Sequence, residues 1–281
     1  MLLSTQIDEV IERALAEDLA NGDVTSEAVI DPAARGVARA LAKEPLVVCG
    51  GDVFARVFYR LDPGVRVERL IAEGARANPG DVLWIAEGST RALLAAERTA
   101  LNFAQRLSGI ATLTARFVAA VPAGSGLRIV DTRKTTPGLR ALERFAVRTG
   151  GGKNHRNDLG GAVLIKDNHI AAAGGVAEAV TLAKTRAAHV TRVEVEVESL
   201  ADLDLALGAG AEVVLLDNFR PGDLAEAVRR AKGRALVEVS GGVTLDRIGE
   251  IARAGVDVVS IGALTHSAPA ADISLELERL G

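Results

Sequence analysis

The stretch VEVEVESLADLDLALGAGAEVVLLD, residues 193–217, decides the fold class. It contains two short runs of aliphatic and β-branched residues, 193–197 and 213–216, on either side of a segment with helical spacing at 199–208. Short apolar runs that flank a helix are typical of parallel strands joined by a right-handed crossover. The stretch therefore predicts one β-α-β unit.

The same alternation continues on both sides of this unit. Further strand-like runs lie at 127–130, 162–165, 235–239 and 257–261, and further helical segments at 139–149, 176–188, 222–231 and 244–254. Six strand-helix units of this kind are typical of an α/β barrel or of a doubly wound sheet. No glycine-rich dinucleotide fingerprint follows the first run, which favours the barrel.

The N-terminal third of the chain mixes both types of element. Apolar residues from Ile7 to Leu19 have helical spacing over 4–19, and Ser4 or Thr5 can cap this helix. Alternating segments predict short strands within 36–48 and 64–87, and helices are predicted over 50–60 and 90–121. This mixture predicts an α+β module that precedes the barrel.

Composition limits the class of protein. Hydrophobic residues make up 48% of the 281 residues, which is enough for a sizeable core. No apolar run approaches the ~20 residues that a membrane span needs, and the N-terminus does not have the pattern of a secretory signal. The single cysteine, Cys49, excludes an internal disulfide and favours a reducing compartment. We therefore expect a soluble, cytoplasmic protein without a membrane partner.

Positive charge is concentrated in one part of an acidic chain. Between residues 128 and 169 nine Lys or Arg residues stand against four Asp or Glu, whereas the whole chain has a formal net charge of −4. Nucleic-acid binding usually spreads positive charge over a whole domain, so nucleic acid is not the expected partner. A local basic island predicts a pocket for a small, multiply charged anion.

Each predicted strand of the barrel ends in polar residues or glycines. These endings lie at 131–134, 166–169, 196–198, 217–218, 240–242 and 262–263. In α/β barrels the active site gathers at the carboxyl ends of the strands, so we expect these residues to meet. The sequence therefore predicts an enzyme active site at this end of the barrel.

Glycines at the last two endings predict a phosphate site. Backbone N–H groups in such turns, together with the positive end of the next helix, attract a phosphate group. We assign a phosphate monoester to Ser240, Gly241, Gly242, Gly262 and Ala263, with His266 nearby.

Cations and acids occupy the other endings. A polyanion is expected on Arg133, Lys134, Arg156 and Lys166. Glu196 and Asp217 end neighbouring strands and can hold a divalent ion, act as acid and base, or bind sugar hydroxyls.

Register along the run 193–197 is left open by the sequence. Glu194, Glu196 and Glu198 alternate on one face, so any of them can be the inward one. Hydrolase and metalloprotease chemistry is not expected, because the chain has neither a strand-borne GxSxG elbow nor an HExxH motif.

Several motifs, in order along the chain, resemble the quinolinate phosphoribosyltransferase family. They are EDLANGDVTS at 17–26, ERTALNF at 97–103, LSGIAT at 107–112, DTRKTTPGLR at 131–140, TGGGKNHR at 149–156, LIKDNH at 164–169, LLDNF at 215–219 and SIGALTHS at 260–267. The resemblance extends from about residue 17 to 275, nearly the whole chain.

This resemblance implies an α/β fold with an incomplete, seven-stranded α/β barrel and an N-terminal α+β sandwich module. The expected domains are 1–109 for the module and 110–270 for the catalytic barrel, with the tail at 271–281 packing on the module. The implied reaction transfers phosphoribose from 5-phosphoribosyl 1-pyrophosphate (PRPP) to quinolinate and releases CO2 and pyrophosphate. The implied assembly is a homodimer, or dimers assembled into a hexamer, in which Arg98 reaches into the neighbouring site.

The resemblance also implies a role for each matching residue. Quinolinate is expected on Arg98, Arg133, His155, Arg156 and Lys166. PRPP is expected on Lys134, Lys166, Glu196, Asp217, Ser240, Gly241, Gly242, Gly262, Ala263 and His266. The catalytic residues are expected to be Lys134, Lys166, Glu196 and Asp217. Mg²⁺ is expected with PRPP, held mostly through substrate oxygens with Glu196 and Asp217 as candidate ligands, and no organic cofactor is expected.

Three alternatives remain at this stage. A molybdenum-transport-associated homologue shares the TRKT and HR features but typically lacks the lysine that stands here at Lys166. A nicotinate phosphoribosyltransferase would need fewer carboxylate-binding cations than this chain provides. A non-catalytic barrel that binds phosphosugars would not need Glu196 and Asp217 beside the anomeric carbon.

Overall fold

A computed structural model of the chain describes residues 4–280. The side chains of Ser4, Gln6 and Pro221 lie outside this description, and so does the predicted helix cap at Ser4. The chain divides into two compact units. Of the described residues, those up to 115, 135–151 and those from 263 onwards make up the first unit, and residues 116–134 and 152–262 make up the second.

The helices and strands of the described chain are as follows. The helices are α1 (Ser4–Asp18), α2 (Val24–Val29), α3 (Gly51–Leu61), α4 (Thr90–Ala119), α5 (Arg140–Thr149), α6 (Asp167–Ala173), α7 (Val176–Arg186), α8 (Leu200–Gly208), α9 (Pro221–Ala231), α10 (Ile248–Arg253) and α11 (Ala263–His266). The strands are β1 (Arg35–Ala42), β2 (Leu46–Val47), β3 (Arg66–Arg69), β4 (Arg76–Ala77), β5 (Val82–Ser89), β6 (Arg128–Val130), β7 (Val163–Ile165), β8 (Val193–Val197), β9 (Val213–Asp217), β10 (Leu236–Ser240), β11 (Val258–Ser260) and β12 (Ile273–Arg279).

The first unit is built on an antiparallel sheet with the strand order β12-β1-β5-β3. Alternate residues of β1 are buried, which gives this sheet one core face. Helix α3 contributes Phe54 and Phe58 to the core, and the ring of Phe54 lies 4.8 Å from the ring of Trp84 on β5. Burying each phenylalanine contributes about 1.5–3 kcal/mol, so the helix is held by its apolar face.

The C-terminal strand β12 belongs to this same sheet. It pairs with β1 along seven residue pairs, from Gly36 opposite Arg279 to Ala42 opposite Ile273. Two ion pairs cross this ladder, Arg39 with Glu278 at 2.8 Å and Lys43 with Glu276 at 3.2 Å. Both are largely exposed, so pairing and burial hold the strand more than charge does.

The second unit is a parallel sheet with the strand order β6-β11-β10-β9-β8-β7. The helices that follow its strands make the crossovers that the sequence predicts, so the predicted α/β class is confirmed. The predicted strands agree with the observed ones to within two residues. The predicted helix at 244–254 begins instead as a 3₁₀ turn, Leu245–Arg247, before α10, a form common at helix N-termini.

A seventh strand position is reduced to a single bridge. Lys153 pairs in parallel with Val130, and its N–H donates to the carbonyl of Ile129 at 2.8 Å. Three glycines, 150–152, precede it, and Gly151 has a φ of 90°, so the local sequence does not favour a longer strand. Among the described residues no ladder joins Lys153 to β7, which leaves the barrel incomplete.

None of the described helices combines the length and the apolar character needed to cross a membrane. This finding includes α4, which is 30 residues long.

Gly109 allows helix α4 to approach the chain that leads into β12. A Cβ atom at this position would lie 2.0 Å from the carbonyl oxygen of Pro269. We expect Gly109→Ala to lower the free energy of unfolding by about 1–3 kcal/mol, because the backbone must move apart. Urea unfolding of the variant and the wild type measures this difference.

Gly208→Ala is the matched control, since Gly208 ends α8 and no atom lies within 4 Å of an added Cβ. This change should leave stability unchanged or raise it by up to about 1 kcal/mol. Equal stability of the two variants would contradict the close approach at Gly109.

Candidate active site

The register of β8 places two glutamates inside the second unit. Glu194 is 6% exposed and Glu196 is half-buried, whereas Val195 and Val197 are buried on the opposite face of the strand. Glu198 follows the strand and is exposed. Both Glu194 and Glu196 therefore point inward. Glu194 lies two residues deeper along the strand than Glu196.

Neighbouring strands bring further polar side chains to the same end of the sheet. Asp217 ends β9 and lies opposite Ser240, which ends β10. A cavity of about 410 Å³ opens here. Its lining consists of Thr132, Arg133, Lys134, His155, Arg156, Leu164, Lys166, Glu196, Leu215, Asp217, Glu238, Ser240 and Ser260. Eight of the residues predicted from the sequence thus line one cavity.

The other predicted residues do not line this cavity. Gly241 and Gly242 directly follow Ser240, and Gly262 lies two residues after the end of β11. Arg98, Ala263 and His266 lie in the first unit, on α4 and α11.

A larger cavity, of about 910 Å³, lies at the opposite end of the same sheet. Its acids, Glu212 and Asp257, accept hydrogen bonds from the backbone N–H groups of Val193 and Val237. These bonds satisfy strand ends, and none of the predicted site residues lines this cavity. In α/β barrels this end is concerned with stability rather than with catalysis.

Lys166 and Glu196 form an ion pair at the mouth of the smaller cavity. The Nζ atom of Lys166 lies 2.7 Å from Oε2 of Glu196. Lys166 stands directly after β7, and its N–H donates to Nδ1 of His169, which caps α6. The backbone of the lysine is thereby fixed, while its half-exposed side chain remains within reach of a ligand.

Asp217 lies beside this pair. Burial, and then the charge of Glu196, raise the pKa of the Asp217 carboxyl, and the nearby lysines Lys166 and Lys134 oppose the rise. Asn218, with a φ of 53°, donates a hydrogen bond to Asp217 at 2.9 Å. Asp217 thus lies close enough to Glu196, Lys166 and Lys134 for their charges to act on it.

Gly241 packs against this acid. Its φ is 86°, and an added Cβ would lie 2.6 Å from Oδ1 of Asn218 and 3.1 Å from Oδ1 of Asp217. Only glycine allows the backbone after β10 to pass this close to the carboxylate.

Two arginines crowd the other side of the cavity. Burial, and then the charge of Arg133, lower the pKa of Arg156, while Glu194 opposes the fall. Arg156 also donates through Nη1 to the carbonyl of Ala162 at 2.9 Å. Two like charges held together in a partly buried place favour the binding of an anion between them.

His155 is held from three sides. Its backbone N–H donates to the fully buried Asp131 at 2.7 Å, and its ring Nδ1 accepts the backbone N–H of Arg156 at 2.8 Å. Its Nε2 lies 3.2 Å from Glu194 and 3.5 Å from Glu238. Because Nδ1 is an acceptor, the neutral ring carries its proton on Nε2, facing the two glutamates.

Glu238 is a site residue that sequence reasoning missed, and Asp131, which belongs to a predicted strand ending, was given no role of its own. Glu238 is 3% exposed and faces inward from the middle of β10. Burial, and then the charge of Glu194, raise its pKa to about 7, with His155 in opposition. The pKa of His155 is also raised, because its bond to Glu194 and the charge of Glu238 outweigh the lowering effect of burial. The sequence signal that could have identified Glu238 is its position as the one acidic residue within the apolar run 235–239.

The comparison with known families agrees with this geometry. The family description "Quinolinate phosphoribosyl transferase, N-terminal domain" matches residues 23–108, and the corresponding C-terminal domain matches residues 110–276. The chain belongs to the quinolinate phosphoribosyltransferase family. The family that the motifs predicted is therefore confirmed.

Relatives in this family match nearly the whole chain. The nicotinate-nucleotide pyrophosphorylase [carboxylating] of Mycobacterium leprae is 44% identical over 276 residues, 96% of each chain. The human protein of that name is 41% identical over 254 residues, 89% of this chain and 85% of its own.

Solved structures give the same result. NadC from Streptococcus pyogenes superimposes with a TM-score of 0.95 at 41% identity, covering 100% of this chain and 99% of its own. Human nicotinic acid phosphoribosyltransferase has a TM-score of 0.63 at 13% identity and covers 96% of this chain and 74% of its own, so it shares the fold alone.

Glu238 should make stability depend on pH. A carboxyl whose pKa rises from 4.5 to about 7 on folding holds its proton more tightly in the folded protein. Its contribution is fully present below pH 4.5 and is lost as the pH rises through 7. Relative to Glu238→Gln, which stays neutral, the wild type should lose up to roughly 3 kcal/mol between pH 5 and 8.

Urea unfolding at a series of pH values measures this effect. Glu212→Gln, an acid-to-amide change at the other end of the sheet, is the control. The difference in unfolding free energy between this variant and the wild type should not show the pH dependence expected for Glu238→Gln. Parallel pH profiles for the wild type and Glu238→Gln would contradict the raised pKa.

Proposed function

We propose that the protein transfers the phosphoribosyl group of PRPP to quinolinate, with loss of CO2 and pyrophosphate, to form nicotinate mononucleotide for NAD biosynthesis. The observation that carries this proposal is the single cavity that joins four cations to two adjacent carboxylates. Family membership over nearly the whole chain supports the same reaction.

Quinolinate is proposed to bind at the cationic side of the cavity. Arg133 and Arg156 suit planar carboxylates, because a guanidinium can bind both oxygens of one group. His155 and Lys166 complete this set within the second unit, and Arg98 of a second copy of the chain is proposed to close it. A dianion relieves the repulsion between the two arginines, which supports a diacid over a monoacid.

PRPP is proposed to bind at the acidic side. Lys134 and Lys166 face the pyrophosphate as point charges, and Glu196 and Asp217 accept hydrogen bonds from the ribose hydroxyls. The 5-phosphate is assigned to Ser240, Gly241, Gly242, Gly262, Ala263 and His266. The left-handed glycines after β10 support this assignment, because their backbone can approach an anion closely.

A divalent cation, proposed to be Mg²⁺, fits this side as well. Glu196 and Asp217 offer the oxygen ligands that Mg²⁺ prefers, and their mutual repulsion would be relieved by a cation. The ion would mainly neutralise the pyrophosphate and would be held mostly through substrate oxygens. No organic cofactor is proposed.

The chain's residues account for the chemistry as follows. The arginines orient the ring so that its nitrogen meets the anomeric carbon, and Lys134 and Lys166 stabilise the departing pyrophosphate. Glu196 and Asp217 stabilise positive charge that develops on the ribose. The positively charged ring nitrogen then stabilises the electron pair that the bond to the neighbouring carboxylate leaves on the ring carbon, so CO2 departs. A proton from solvent water takes its place on that carbon.

Assembly, location and domain limits are further parts of the proposal. We propose a cytoplasmic homodimer, able to assemble into a hexamer, that completes each site with Arg98 from the neighbour. The free and buried Cys49 accords with a reducing compartment. Domains at 1–109 and 110–270 are supported by the family matches, and a tail that packs on the module is supported by the pairing of β12 with β1.

Release of CO2 from carboxyl-labelled quinolinate tests the reaction. We expect release to require both PRPP and a divalent cation, and to yield one pyrophosphate for each CO2. Folded protein that releases no CO2 would contradict the proposal. Turnover of nicotinate in place of quinolinate would favour the monoacid enzyme, and no turnover of either would favour the molybdenum-associated homologue or a binding barrel.

Mixing two inactive variants tests the shared site. We expect Lys166→Ala and Arg98→Ala each to lose nearly all activity while remaining folded. In a mixed dimer one site regains both side chains, so an equilibrated equal mixture should recover about a quarter of wild-type activity. A mixture that stays inactive although subunits exchange would contradict the role of Arg98 across the interface, and active Lys166→Ala protein would contradict the role of the lysine.

A further inference from the structure

Two buried glutamates flank His155, and one of them, Glu238, lines the cavity. Glu194 on β8 and Glu238 on β10 are 6% and 3% exposed, and Nε2 of His155 lies between their carboxylates at 3.2 Å and 3.5 Å. The Oε1 atom of each glutamate is buried and accepts no hydrogen bond from any residue that the structure describes. Neither residue has a part in the proposed chemistry.

The groups that face Glu238 do not balance two negative charges. Glu194 repels it from β8, the ring of His155 faces it from the segment before β7, and Ser260 on β11 donates a hydrogen bond to it. Arg128 on β6 acts on it more weakly than these. Two carboxylates held this close in a buried place do not both ionise readily, so the cluster favours one bound proton.

The glutamates raise the pKa of His155, but the hydrogen bond at its Nδ1 opposes a second proton on the ring, so we place the proton on a carboxyl. Nδ1 of His155 already accepts the N–H of Arg156, so a second proton on the ring would break that bond. Nε2 carries the proton of the neutral ring and faces the glutamates. Of the two glutamates, Glu238 is the more deeply buried.

The substrate adds two further negative charges to the same cavity. The arginines that would hold its carboxylates line the cavity together with Glu238, and Arg156 lies close enough to Glu194 for their charges to interact. An ionised Glu238 would therefore repel the dianion, whereas a neutral one would not.

We propose that Glu238 is a further substrate-binding residue, which lines the dianion site as a neutral carboxylic acid, so that binding quinolinate takes up a proton. This inference rests on the proposed function, because it takes quinolinate as the dianion. Linkage then requires that quinolinate affinity fall as the pH rises above the range where Glu238 is protonated.

Calorimetric titration of the wild-type protein with quinolinate at pH 8 tests this proposal. The heat is compared in HEPES and in Tris, two buffers with different enthalpies of ionisation. We expect the difference to correspond to uptake of about half to one proton per site, and the affinity to fall by up to about tenfold for each pH unit above 8.

Glu238→Gln is the decisive variant, because glutamine has nearly the shape of the neutral acid. It should bind quinolinate at pH 8 at least as tightly as the wild type and take up no proton. A merely structural glutamate would give the opposite result, namely weaker binding with the proton uptake retained. Glu212→Gln is the matched control and should behave as the wild type does.

The outcomes separate this inference from the reaction. Quinolinate binding with the same heat in both buffers would overturn the inference alone, and so would proton uptake that survives in Glu238→Gln. Wild-type protein that neither binds quinolinate nor releases CO2 would overturn the proposed function and the inference together.

Discussion

The parallel register of β8, β9 and β10 is the constraint on which the site depends. It sets Ser240 opposite Asp217 and holds Glu196 on the neighbouring strand, all at the same end of the sheet. Side chains alternate along a strand, so a shift of one residue would turn the acids towards the helices and the valines into the cavity. Chemistry and core packing are therefore fixed by the same hydrogen bonds.

Charge is the second organising element. The cavity gathers cations that would repel each other if left alone, and the acids around them reduce that repulsion. Lys166 is paired with Glu196, and Arg156 lies within the field of Glu194. This partial neutralisation reduces the electrostatic cost of concentrating positive charge in the folded protein. It leaves an excess of positive charge that can bind anions.

The sequence predicts the elements with strong periodicity and the residues at their ends. The strand at 193–197 is found as predicted, and eight of the predicted side chains share one cavity. Local patterns fail where long-range contacts decide. The sequence around Lys153 does not resemble a strand, although Lys153 pairs with Val130. The raised pKa of the buried Glu238 depends on side chains of other segments, which its local sequence does not show. Arg98 resembles any exposed helical arginine, and only family motifs single it out.

The pairing of β12 with β1 has a consequence for how the chain acquires its structure during synthesis. Arg39 and Glu278, which pair across this ladder, are 239 residues apart in sequence. Until β12 is made, β1 has an unpaired edge, which is the kind of edge on which sheets associate wrongly. Contacts this distant along the chain also slow folding. The first unit, although it begins the chain, completes its sheet only after the whole parallel sheet of the second unit has been translated.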